Sequence, residues 1–115
     1  MDEMEFLTFV KQQFGTGCVR YTSLRGRPVS RVAVCGGAGS FLLKHAIAAG
    51  ADAYVSADFK YHEFFDAENQ LIIADIGHFE SEQFAVELFY LILTENFRNF
   101  APLKSVIRTN PVNYL

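Results

Sequence analysis

The chain contains no tryptophan, only two cysteines, three prolines and three histidines in its 115 residues. Two cysteines cannot build a disulfide scaffold, and the spacing of Cys18 and Cys35 matches no zinc motif. Both read as reduced thiols in apolar strand-like contexts, in the core of a cytoplasmic protein. Cys35 precedes a glycine turn, where reactivity would require a lowered thiol pKa. No apolar run approaches the roughly 18 residues of a membrane span, which argues against a membrane role. The opening Met1-Asp2-Glu3-Met4-Glu5 is acidic where a secretory signal is basic. Ten basic residues against thirteen acidic ones give a net charge of −3, which argues against a nucleic-acid partner. The one basic cluster, Arg20, Arg25, Arg27 and Arg31, lacks interleaved aromatics and reads as a solvated hairpin.

What remains is apolar and aromatic. Half of the residues are hydrophobic and 20% are charged, the balance of a globular chain. Residues 1–115 make one domain, long enough to bury roughly two thirds of its unfolded surface. Twelve Phe and five Tyr point to an aromatic-rich core or a large interface.

Periodicity divides the chain into alternating elements. Phe6, Phe9, Val10 and Phe14 recur at helical spacing, which predicts an amphipathic helix over Asp2 to Phe14, ended by Gly15 and Gly17. Cys18 to Tyr21 read as a short strand, followed by a turn through Arg25-Gly26-Arg27-Pro28. Arg31 to Cys35 form a β-branched run that meets Gly36-Gly37-Ala38-Gly39-Ser40. A helix over Ser40 to Ala49 follows, with His45 beside Lys44 on its surface and Gly50 closing it. Ala53 to Ser56 and Leu71 to Ile76 read as buried strands, with a short helix over Lys60 to Asp66 and a turn at Glu68-Asn69 between them. The longest predicted helix runs from Glu80 to Phe97 and is apolar on more than one face, which implies cover on both sides. Ser105 to Arg108 form a candidate final strand. Continuous apolar strands alternating with helices define an α/β class with a mostly parallel sheet covered by helices.

Three strand ends converge in this reading: Cys35-Gly36-Gly37, Ala57-Asp58 and Ile76-Gly77-His78. Open α/β sheets build their sites at such carboxyl ends. His78 and Glu82 lie four residues apart on one face of a starting helix. Their nitrogen and oxygen donors suit zinc, manganese or iron, although Glu80 and Glu82 also suit the positive end of a helix dipole. Asp58 and His62 repeat the spacing past the preceding strand. They read either as a general acid/base pair or ligand-supporting groups, or as a helix cap beside an exposed histidine. The glycine turn reads as close helix–sheet packing or as an anion cradle, since it fits neither the dinucleotide nor the Walker pattern. Tyr61, Phe64 and Phe65 around His62 read as packing residues, against the core or a neighbouring subunit.

Val32 to Ser40, Gly50 to His62 and Asp75 to Glu82, in that order, resemble the Nif-three-like proteins with a dinuclear metal centre. Bacterial members of that family bear the name GTP cyclohydrolase I type 2 homologue. The ending Thr109-Asn110-Pro111-Val112-Asn113-Tyr114 is similar to the tail of its longer members. The resemblance implies that His78 and Glu82 bind divalent metal directly in a two-metal hydrolase site, with Glu82 able to bridge the ions. It implies a catalytic or ligand-supporting role for Asp58 and His62 in the same cleft. A homo-oligomer, a toroidal hexamer in the family, and a nucleotide-like or pterin-related small molecule are implied partners. The family's other lobe supplies a His-His pair and a carboxylate, and none of the three histidines here adjoins another. The chain therefore resembles the C-terminal lobe alone, a fragment or a separate product completed by an N-terminal lobe in cis or in trans. Alone it is expected to be inactive. The alternative expectation is a non-catalytic oligomerisation or partner-binding module.

Overall fold

A computed structural model describes residues 1–115. Helix α1 spans Glu3–Gln13, and its start is set by Asp2, whose carboxylate accepts from the backbone N–H of Met4 (2.9 Å) and Glu5 (3.3 Å). Strands β1 (Arg20–Tyr21), β2 (Val32–Ala38), β3 (Ala53–Ala57) and β4 (Ile72–Asp75) form one sheet in the order β1-β4-β3-β2. The β2–β3 and β3–β4 pairs are parallel, and only β1 runs antiparallel, against β4. Helix α2 (Leu43–Ala48) follows β2 through a three-ten turn at Ser40–Leu42, and a second three-ten segment, Tyr61–Ala67, joins β3 to β4. Helices α3 (His78–Glu82) and α4 (Ala85–Asn96) follow β4. The α/β class and mostly parallel sheet agree with the sequence pattern.

The two central strands are buried along their whole length because both faces are covered. Their side chains alternate between two clusters, as the period of two requires. Ala53, Val55, Ile72, Ala74 and Ile76 meet Phe6, Leu7 and Val10 of α1. Tyr54, Leu71 and Ile73 meet Leu43 and Ala46 of α2 together with Phe59. Each fully buried aliphatic side chain contributes about 1.5–3 kcal/mol relative to exposure. Truncating Ile73 to Ala would cost about 2–5 kcal/mol through the cavity it leaves.

Several expectations need correction. Phe9 points to solvent, and Leu7 takes the inward position on α1. Cys18 is exposed and so is not a core thiol, while Cys35 is half-buried and packs against the second cluster. The arginine cluster is not a solvated hairpin: β1 pairs with β4 rather than β2, and the Arg25 side chain is 2% exposed. Arg25 donates to Glu3 and, at 3.1 Å, to Asp52, which also accepts from the N–H groups of Ser30 (3.0 Å) and Arg31 (2.9 Å). The long helix breaks at Gln83-Phe84, where Gln83 Nε2 donates to the Phe14 carbonyl (2.7 Å). No residue of α4 is buried, so the double cover expected of it is not supplied by this chain. Ser105 to Arg108 form no strand and lie exposed.

Candidate functional site

Strands β3 and β4 are neighbours with Ser56 opposite Asp75, so whatever follows them emerges side by side. Ala57 ends β3 and Asp58 turns the chain in the left-handed region, at φ 58°. Gly77, at φ 92°, turns the chain out of β4 into α3, whose first residue is His78. A side chain there would strike the Glu80 carboxylate and come within 3.0 Å of the Tyr114 hydroxyl. These two turns bring Asp58 Oδ2 to 2.5 Å from His78 Nδ1. On the other side of the ring, His78 Nε2 lies 3.2 Å from Glu82 Oε2, one helical turn on. The result is a carboxylate–imidazole–carboxylate relay, each member about half exposed.

The glycines at the end of β2 close the relay from behind. Gly37 has φ 66°, and a Cβ there would lie 2.5 Å from Glu82 Oε1 and 3.3 Å from His78 Cε1. Its N–H donates to Ser81 Oγ (2.7 Å), and that hydroxyl donates to the His78 carbonyl (2.8 Å). The missing side chain is therefore what lets β2 approach α3. Gly39 is bare for the same kind of reason, because a Cβ would meet the Ser56 and Tyr54 hydroxyls. Of the two readings of this turn, close packing accounts for both glycines.

Asp75 anchors the floor. Its carboxylate accepts from the N–H groups of Phe59 (3.0 Å) and Gly77 (3.1 Å) and pairs with the Arg20 guanidinium. It thus fixes the chain just beyond both strand ends. The only sign of Asp75 in the sequence is a charged residue near the end of an otherwise apolar run.

Electrostatics follow from the relay. The Asp58 hydrogen bond pushes the His78 pKa above its ordinary value, against a smaller desolvation effect, with further support from the Asp58 and Glu82 charges. His78 and Glu82 offer one nitrogen and one oxygen donor on a shared face. No group of three or more His, Cys, Asp or Glu stands in metal-holding geometry. His62 is not brought into the relay: it is exposed and packs edge-on against Tyr61, with ring centroids 5.3 Å apart. Asp58, His78 and Glu82 instead line a cavity of about 900 Å3 whose far wall is the C-terminal tail, including Arg108 and Asn110. Tyr114 pins that tail by packing over Gly17 and Gly77.

Fold and site together define a mostly parallel α/β domain with a carboxylate–imidazole–carboxylate relay at the carboxyl rim of its sheet. Residues 1–111 match the family Duf34/NIF3 (NGG1p interacting factor 3), and the chain belongs to that family. A Campylobacter jejuni protein named GTP cyclohydrolase 1 type 2 homolog is 33% identical over 109 residues, which cover 92% of this chain and 42% of that protein. A Staphylococcus epidermidis protein of the same name is 32% identical over 114 residues, covering 96% of this chain and 31% of its own length. The chain thus spans less than half the length of these relatives. Among solved structures, a Bacillus cereus protein related to NIF3 superposes with a TM-score of 0.80 at 28% identity, over 100% of this chain and 33% of that one. A Staphylococcus aureus protein gives 0.83 at 25% identity, over 100% of this chain and 39% of that one. No helix of the structure is long and apolar enough to cross a membrane.

Proposed function

We propose that this chain supplies half of a divalent-metal site in a hydrolase-like protein, with His78 and Glu82 as its two donors. The observation that carries the reading is the polarity of the relay. Asp58 occupies Nδ1 and orients the ring, which leaves Nε2 facing the same space as Glu82. The room for a ligand pair at that point exists because residue 37 has no side chain. Zinc, manganese and iron all accept such a mixed donor set. Two donors do not close a site, so the remaining ligands come from outside this chain, from an N-terminal lobe in cis or in trans.

When bound, a two-metal centre supplies a water whose pKa is lowered toward neutrality. The chain's own residues have simpler tasks. Asp58 positions His78 and holds its Nδ1 proton, and Glu82 shares the ligand face. The tail forms one wall of the cavity they face. The names of the relatives suggest a nucleotide-like small molecule as substrate. His62 enters this reading only if the completed protein brings it to the cavity.

A second reading is favoured by α4. Phe84, Leu88, Phe89, Leu91 and Ile92 are all exposed, which fits a non-catalytic or additional role in homo-oligomer assembly, as a hexamer or otherwise. Paramagnetic broadening by manganese separates the two readings. The metal-site reading expects selective loss of His78 and Glu82 NMR signals at substoichiometric manganese. Uniform or absent broadening would leave only the assembly role.

A further inference from the structure

The cavity beside the relay has two cationic side chains on its tail wall, and they are not equivalent. Lys104 is already committed, 2.6 Å from Glu87 Oε2 and 4.6 Å above the Tyr90 ring. Arg108 is held differently. Its guanidinium lies 5.1 Å from the centroid of Phe79, the residue next to His78 on α3. The ion pairs of this chain use Arg20, Arg25, His78 and Lys104, and Arg108 joins none of them. Yet Asp58, Glu82 and Glu87 line the same cavity.

A guanidinium held over an aromatic face by a cation–π contact spends none of its N–H donors on a carboxylate, and they stay available to other partners. The contact restricts the side chain in advance, so less freedom is lost when a partner arrives. An oxyanion such as phosphate or carboxylate matches that fork with two parallel hydrogen bonds. Phe79 ties this fork to the helical turn that bears His78. A small molecule in the cavity would thus meet the relay at one end and a free arginine at the other.

We propose that Arg108 is the anion-recognition residue of this cavity, and that the molecule bound there carries a phosphate or carboxylate group. The proposal rests on the metal-site reading only for what happens at the other end of the cavity. Anion binding itself is measurable without metal.

The test is a calorimetric titration of the metal-free chain with inorganic phosphate, and separately with acetate, on wild type, Arg108→Ala, Arg108→Lys and His78→Ala. Arg108 is exposed, so its substitution leaves the fold intact. Loss of a charge-assisted hydrogen bond predicts roughly tenfold weaker binding in Arg108→Ala. Arg108→Lys should recover part of it, since lysine keeps the charge without the fork. His78→Ala should bind the anion as wild type does while losing zinc, which separates this proposal from the metal reading. Tighter phosphate than acetate binding would assign a phosphate-bearing ligand, and the reverse a carboxylate. Absence of binding by wild type, unchanged binding in Arg108→Ala, or loss of binding in His78→Ala would overturn the assignment.

Discussion

Asp58 Oδ2 lies 2.5 Å from His78 Nδ1, although twenty residues separate the two in sequence. They meet because β3 and β4 are adjacent and parallel, so each residue stands just past the same edge of the sheet. Asp58 adopts a left-handed backbone to make the contact, a conformation that aspartate tolerates better than most residues. That pairing turns an i,i+4 helical pair into a relay with a defined direction.

Removing the Asp58 charge should lower the His78 pKa. The shift in the native chain is upward, caused first by the Asp58 hydrogen bond. A raised folded-state pKa means the stabilisation is fully present below the unfolded value of about 6.5 and disappears as pH rises through the folded value. In Asp58→Asn, the His78 ring titration followed by NMR in metal-free protein should move down, and the stability advantage of wild type should be confined to the acidic side. An unchanged midpoint would remove Asp58 from its positioning role.

Gly37→Ala should act on both fold and site. The new Cβ would sit 2.5 Å from Glu82 Oε1 at a φ of 66°. The left-handed conformation costs a non-glycine residue about 1–2 kcal/mol. Thermal unfolding should report that loss, and zinc affinity should fall as Glu82 is displaced. Wild-type affinity in a folded Gly37→Ala protein would show that the bare backbone is not needed by the pair.

The Asp52 network should set the acid limit of stability. Its carboxyl is held far below the usual carboxylate range, chiefly by the N–H groups of Arg31 and Ser30, with Arg25 adding to them. A depressed folded-state pKa contributes stability above the unfolded value of about 3.9 and loses it as pH falls below that. Asp52→Asn should cost about 2 kcal/mol near neutrality, because the buried Arg25 loses one of its two carboxylate partners. The melting-temperature gap between wild type and variant should be constant above about pH 5 and narrow below about pH 4. A gap independent of pH would contradict this assignment.

Charge placed on α4 should change assembly and little else. Phe89 and Ile92 are 63% and 45% exposed, so the double substitution to Glu removes no core contact. Sedimentation velocity should show concentration-dependent association of wild type and a monomeric variant of equal melting temperature. A variant that unfolds would mean that α4 packs against this chain after all.

Much of the fold was legible because the central strands are buried on both faces. Leu71 to Ala74 and Ala53 to Val55 carry continuous apolar runs that no amphipathic helix would need. The His78–Glu82 pair was legible too, since four residues along a helix is a fixed geometry. The Asp58–His78 bond was not, because it depends on which strands are neighbours. Spacing paired Asp58 with His62 instead, but the segment between β3 and β4 is three-ten and turns His62 away from the relay. Arg25 was misread for a related reason: its burial depends on Glu3 and Asp52, which are distant in sequence. The break at Gln83-Phe84 has no glycine or proline to announce it. Its visible anchor is the tertiary hydrogen bond from Gln83 to Phe14.

The measurement that bears most directly on the metal site is zinc titration by calorimetry on wild type and Glu82→Ala side by side, with His78→Ala as a third arm. Both side chains are about half exposed and neither is part of the core, so both variants should remain folded. Wild type should bind one zinc per chain, weakly because two donors leave the ion open, and both variants should lose that binding while remaining folded. Zinc binding that survives both substitutions, or a wild-type chain that binds none, would contradict the assignment of His78 and Glu82 as metal donors.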